Sequence, residues 1–173
     1  MNLSYPRTEA QRAGDFTGAR PGEELVGTWL GNFKIANLDS PDRLDYWIPG
    51  SHVEVKQKNQ PISSQWPMPC REPDAFILDE LSVRKAMGHY PHAYFVLNDV
   101  PCGRWFLARV DEVCCAERVR INREGSGRHL KGKWVLDLTQ FRLLQNPATD
   151  LMPLIFSDQC SMPWKASALL IRT

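Results

Sequence analysis

The 173-residue chain contains no apolar run long enough to span a membrane, and its first 20 residues lack the hydrophobic stretch of a secretory signal. These absences point to a cytoplasmic protein with no membrane partner. There is no C-x-x-C pair, and the five cysteines (Cys70, Cys102, Cys114, Cys115 and Cys160) are an odd number. A disulfide framework or a cysteine-based zinc site is therefore not expected, and the pattern suits a reducing compartment. Charge of one sign is also missing: 21 Lys and Arg stand against 20 Asp and Glu, a net +1. The molecule as a whole is no polycation, so any binding of a polyanion has to come from a local patch. Neither an internal repeat nor a low-complexity tract is present.

The chain is long enough for one domain with a proper core, and 43% hydrophobic and 24% charged residues are ordinary for a globular protein. Residues 1–20 are polar and without apolar period, which reads as a flexible arm ahead of a single domain over 21–173. That domain divides into a core over 21–113 and a C-terminal extension over 114–173. Pro21 and Glu23-Glu24 precede Leu25, Val26, Trp29, Leu30 and Phe33 at helical spacing, and proline and acids in a first turn fit a helix start. Two strands follow, Leu44 to Ile48 and His52 to Gln57, separated by Pro49-Gly50, a turn signal. The proline-rich stretch Pro61 to Pro73 reads as a loop. A helix is expected over Asp74 to His89, then strands over Ala93 to Leu97, Trp105 to Val110 and Trp134 to Leu138. Asn146 to Pro163 reads as irregular, and Lys165 to Arg172 as a last strand or helix. The order implies a mixed α/β fold with a central sheet flanked by helices.

The most informative stretch runs from Asp45 to Lys56. If Pro49-Gly50 is a two-residue turn, Ile48 faces Ser51, Trp47 faces His52, Tyr46 faces Val53 and Asp45 faces Glu54. Opposed residues of an antiparallel pair share a face about 5 Å apart at Cβ. Lys56 lies on that same face, roughly 7 Å along the strand from Glu54, while Val53 and Val55 point into a core. Two opposed carboxylates repel unless something compensates, and a hard divalent cation such as Mg²⁺ prefers carboxylate oxygens. A lysine beside them can assist an attacking water or stabilise charge on phosphate oxygens. A bulged or longer turn would reverse the face of Asp45 and substitute Asp42.

This Asp45…Glu54-x-Lys56 pattern resembles the PD-(D/E)XK nuclease superfamily, which includes Holliday-junction resolvases and many restriction enzymes. The resemblance covers about residues 21 to 113. It implies a restriction-endonuclease-like fold, to which the later segments would add extra C-terminal strands, and a DNA endonuclease dependent on Mg²⁺, with Mn²⁺ as a substitute. It further implies metal ligation by Asp45, Glu54 and the main-chain carbonyl of Val55, with Lys56 assisting the water. An early-helix glutamate, Glu23 or Glu24, would complete the acidic cluster. Glu23 is preferred because it shares a helical face with Val26 and Leu30. A homodimer follows by analogy with enzymes that cut both strands of a duplex. The pathway (recombination, repair, phage replication or defence) stays open.

A second group, Arg118, Arg120, Arg123, Arg128, Lys131 and Lys133, is interleaved with glycines and could follow a DNA backbone. It supports the alternative of a nucleic-acid-binding module without hydrolysis. Gln57, Lys58 and Gln60 could also touch DNA, Arg84 and Lys85 could reach phosphate, and His52 lies on the acidic face.

Overall fold

The computed structural model describes residues 9–37, 44–62, 72–121 and 131–161. Helix α1 spans Glu9–Leu30 and starts well ahead of the expected Pro21. Ala10, Gln11, Arg12, Ala13 and Ala19 are good helix formers, so the expected arm is helical from Glu9 onward. Pro21 removes one ladder hydrogen bond inside the helix. Burial of Val26 and Leu30 anchors the half that follows it.

The hairpin forms in the expected register. Strand β1 (Ala36–Asn37) pairs with β2 (Tyr46–Ile48), and β2 pairs antiparallel with β3 (Ser51–Lys58). Tyr46 faces Val53, Trp47 faces His52 and Ile48 faces Ser51. Pro49 leads the turn and Gly50 follows with φ of 73°, the left-handed value that the third position of a type II turn requires. Such a turn does not match strand twist well on its own. Here the Gln159 side-chain amide reaches over it, donating to the Pro49 carbonyl at 3.1 Å and the Ser51 hydroxyl at 2.6 Å.

Strand β3 then pairs parallel with β5 (Ala93–Asp99), which continues antiparallel to β6 (Arg104–Arg109) and β9 (Arg142–Leu144). The six-stranded mixed sheet runs β1-β2-β3-β5-β6-β9. Every residue of β5 is buried, as expected for a strand covered on both faces. On one face, Val53, Val55, Tyr94, Val96 and Leu107 pack with Val26 and Leu30 of α1 and with Leu151 and Ile155 of helix α4 (Pro147–Ser161). On the other, Phe95, Leu97, Phe106 and Ala108 pack with helices α2 (Glu80–Met87) and α3 (Val110–Cys114). A second sheet, β4 (Ala75–Asp79), β8 (Lys131–Asp137) and β7 (Glu117–Ile121) in the order β4-β8-β7, adds Phe76, Leu78 and Leu136 to this layer.

Two expectations are corrected. The helix expected over Asp74 to His89 is a strand followed by a shorter helix, because Phe76, Ile77 and Leu78 pair with Leu136, Val135 and Trp134 of β8. Periodicity alone does not separate a short apolar run of this kind from a helical turn. The stretch read as irregular after Asn146 is α4. Pro147 opens it, the Asn146 amide donates to Asp150 Oδ2 at 2.8 Å, and Leu151, Met152, Ile155 and Gln159 line its buried face. The interior Pro153 disguises that face. The expected C-terminal element over 165–172 and most of the loop over 61–73 lie outside the described residues. Among the described residues, no helix is long and apolar enough to cross a membrane.

Candidate functional site

Asp45 lies one residue before the Tyr46–Val53 pair, where the paired register ends, and close enough to Glu54 for that carboxylate to act on it. Its Oδ2 accepts a hydrogen bond of 2.6 Å from the Val55 amide. Glu54 is 1% exposed and sits beside Phe95 in the parallel register. The Lys56 ammonium is 2.7 Å from Glu54 Oε1 and donates to the Val55 carbonyl at 3.0 Å. From the last turn of α2, Lys85 brings a second ammonium to 3.7 Å from the same Glu54 oxygen. Glu54 Oε2 is buried with no hydrogen-bond partner among the described residues.

The electrostatics follow from this crowding. Burial first, and then the Glu54 carboxylate, push the Asp45 carboxyl up to about 7. Burial alone would lower the Lys56 ammonium, but Glu54 and Asp45 outweigh it and hold the group above its ordinary value. Glu23 acts on both, raising Asp45 and Lys56. This separates the two early-helix acids: Glu23 belongs to the cluster's field, whereas Glu24 is exposed and 4.0 Å from Arg20. Helix α1 is held against the hairpin by the Tyr46 hydroxyl, which donates to the Glu23 carbonyl at 2.6 Å. Gly27 is needed at that crossing, since a Cβ there would stand 2.8 Å from the Tyr46 oxygen. Tyr46 itself is pushed up to about 12 by burial and the nearby acids.

Among the described residues, no three His, Cys, Asp or Glu side chains are grouped to hold an ion. The ligand set that the resemblance implies is two carboxylates and a main-chain oxygen. That set suits Mg²⁺, which takes one or two carboxylates, keeps several waters and prefers oxygen throughout. The residues fit it: Glu54 Oε2 is a buried acceptor without a donor among the described residues, and the Asp45 carboxyl, raised first by burial and then by Glu54, has a neighbouring negative charge that a cation would balance.

The remaining sequence candidates separate. Asp42, Arg123 and Arg128, and the side chain of Lys131, lie outside the described residues. Lys133 is 8% exposed and ion-paired with Asp79 across β8 and β4, and Arg118 of β7 pairs with Glu80 at the start of α2. Arg120 is exposed. Lys58 is buried rather than turned to solvent. Its ammonium is 2.9 Å from Asp99 and donates to the Pro73 and Ala75 carbonyls, each at 3.0 Å. Arg104 completes that knot, with 2.7 Å to Asp99 and 2.8 Å to Asp74. Gln57 accepts from the Asn98 amide at 3.0 Å, Gln60 is exposed and Arg84 is exposed. His52 lies on the acidic face as expected, where burial and then His89 and His92 lower its pKa.

Sequence reasoning placed Lys85 only as a phosphate contact and missed its approach to Glu54. The signal was present in the Arg84-Lys85 pair, but a helix expected to begin at Asp74 carried no register relative to the sheet. No protein-family model, curated protein or solved structure matches the chain.

Proposed function

We propose that the chain is a Mg²⁺-dependent DNA endonuclease of the PD-(D/E)XK type on a restriction-endonuclease-like fold. One observation carries the reading: the end of the hairpin brings Asp45 within the field of Glu54, with the Lys56 ammonium on the Glu54 carboxylate and the Val55 carbonyl. The element order supports it: behind an N-terminal helix comes the acid-bearing hairpin and then, after the intervening β4, helix α2 and strands β5 and β6, and a helix and two strands after the Glu-x-Lys strand are what the resemblance implies.

In this reading Asp45, Glu54 and the Val55 carbonyl hold the cation. When bound, Mg²⁺ supplies positive charge for the phosphate oxygens and makes a coordinated water more acidic. Lys56 stays protonated, because the two carboxylates favour its charged form. It therefore works as a donor at Nζ, orienting the attacking water and stabilising charge on the phosphate. Glu23 strengthens the negative field that favours both cations, and Lys85 keeps Glu54 from carrying that field alone. Cleavage of both duplex strands calls for two copies of the chain, so a homodimer belongs to the proposal. Binding without hydrolysis through the 118–133 segment has less support, because Arg118 and Lys133 are engaged by Glu80 and Asp79.

The test is plasmid nicking with Mg²⁺, with Mn²⁺ and with EDTA. Wild-type protein should nick with either metal and not with EDTA. Lys56→Ala should lower the rate by two orders of magnitude or more, comparable to removal of one transition-state donor. Metal-independent nicking, or full activity of Lys56→Ala, would sink the proposal.

A further inference from the structure

Next to the acidic pair, the same face of the hairpin carries an aromatic row for which the proposed hydrolysis has no use. Trp47 is two residues from Asp45 and directly opposite His52. Its side chain is 43% exposed. The Trp47 and His52 rings are nearly parallel, 12° apart in plane with centroids at 6.3 Å. On its other side His52 meets His89, with centroids 3.9 Å apart. His89 follows α2, the helix that brings Lys85 to Glu54, and its neighbour Tyr90 is 58% exposed.

The placement matches one kind of ligand. Residues two apart on one strand face are roughly 7 Å apart, so the indole stands about one nucleotide's phosphate-to-base reach from the carboxylate pair. Lys56 and Lys85 supply positive charge at one end of that span, and the partly exposed Trp47 indole stands at the other. In a continuous duplex the base faces are covered by their neighbours, and only an unpaired or unstacked base can lie on an indole. We infer that Trp47, backed by His52 and His89, is a stacking platform for an unpaired base of the strand being cut. The preferred substrates are then DNAs with a local break in pairing beside the scissile phosphate. The inference rests on the nuclease reading for its choice of nucleic acid.

The experiment uses the full chain and two DNAs, a perfect duplex and the same duplex with one unpaired 2-aminopurine. Binding is followed in EDTA by the fluorescence of that base, and cleavage separately in Mg²⁺. Wild-type protein should quench the unpaired base and bind that DNA more tightly than the duplex. Trp47→Leu, which keeps apolar bulk but no π-face, should lose about tenfold of affinity for the unpaired site. Trp47→Phe should keep most of it, and circular dichroism verifies that each variant is folded. Should Trp47→Leu unfold, His89→Ala must reduce the preference in its place. An unchanged preference in a folded Trp47→Leu, or no preference in the wild type, overturns the platform. Mg²⁺-dependent cleavage without that preference would leave the nuclease reading standing. Trp47-dependent stacking without cleavage of either DNA would remove the nuclease reading and keep the platform.

Discussion

Asp45 accepts a 2.6 Å hydrogen bond from the Val55 amide, so the residue that ties the hairpin together from one strand is also half of its acidic pair. The same peptide region offers the Val55 carbonyl to Lys56 at 3.0 Å. Backbone and side-chain chemistry are thus locked in one register, and a shift of one residue would dismantle both.

The charge state of Asp45 makes stability depend on pH and metal together. An unfolded chain releases this proton near 3.8, whereas the folded one retains it until about 7. The folded state binds more protons across that window, so this group lowers stability as pH rises through it. Melting temperatures at pH 5 and pH 8 should show the decline without metal. Mg²⁺ should raise the value more at pH 8, and Asp45→Asn should flatten both dependences. A Mg²⁺ effect of equal size in Asp45→Asn would contradict the ligand assignment.

Gln159 should act as the tether of the turn. Replacing it with Leu leaves the Pro49 carbonyl and the buried Ser51 hydroxyl without their partner. The expected loss is about 1–3 kcal/mol in urea unfolding. A double-mutant cycle with Ser51→Ala should return a coupling near 1 kcal/mol, since the two residues share one hydrogen bond. Independent, additive effects would show that the tether does not hold the turn.

Lys58 should matter for folding and not for phosphate contact. Lys58→Met removes a cation from Asp99, which is 0% exposed and would keep only Arg104. Breaking such a pair from one side costs about 3–5 kcal/mol, with the lower end expected because Arg104 stays. Urea unfolding measures that cost. The salt dependence of DNA binding, measured on folded protein, should keep its slope, whereas a phosphate-contacting lysine would lower it by about one.

The hairpin was legible because its information is local. Pro49-Gly50 places the turn and alternation sets the face, and both are written within a dozen residues, although the distant Gln159 tethers the turn. The β5 and β6 strands were legible for the same reason, as β-rich apolar runs bounded by turn residues. The β4 strand was not, because its partner β8 lies far along the chain and a short apolar run has no period of its own. Helix α4 was hidden by Pro153, whose cost is offset by packing of Leu151 and Ile155 that only the folded sheet supplies.

By itself, the order of residues determined the acidic pair, the lysine beside it and the buried valines behind it, since strand periodicity acts over a few residues. Tertiary structure alone decided that Lys85 approaches Glu54, and that Lys58, Lys133 and Arg118 are held in ion pairs. Those outcomes depend on how helices and a second sheet dock on the first. Docking is governed by the fit of surfaces from distant parts of the chain, which no local pattern encodes.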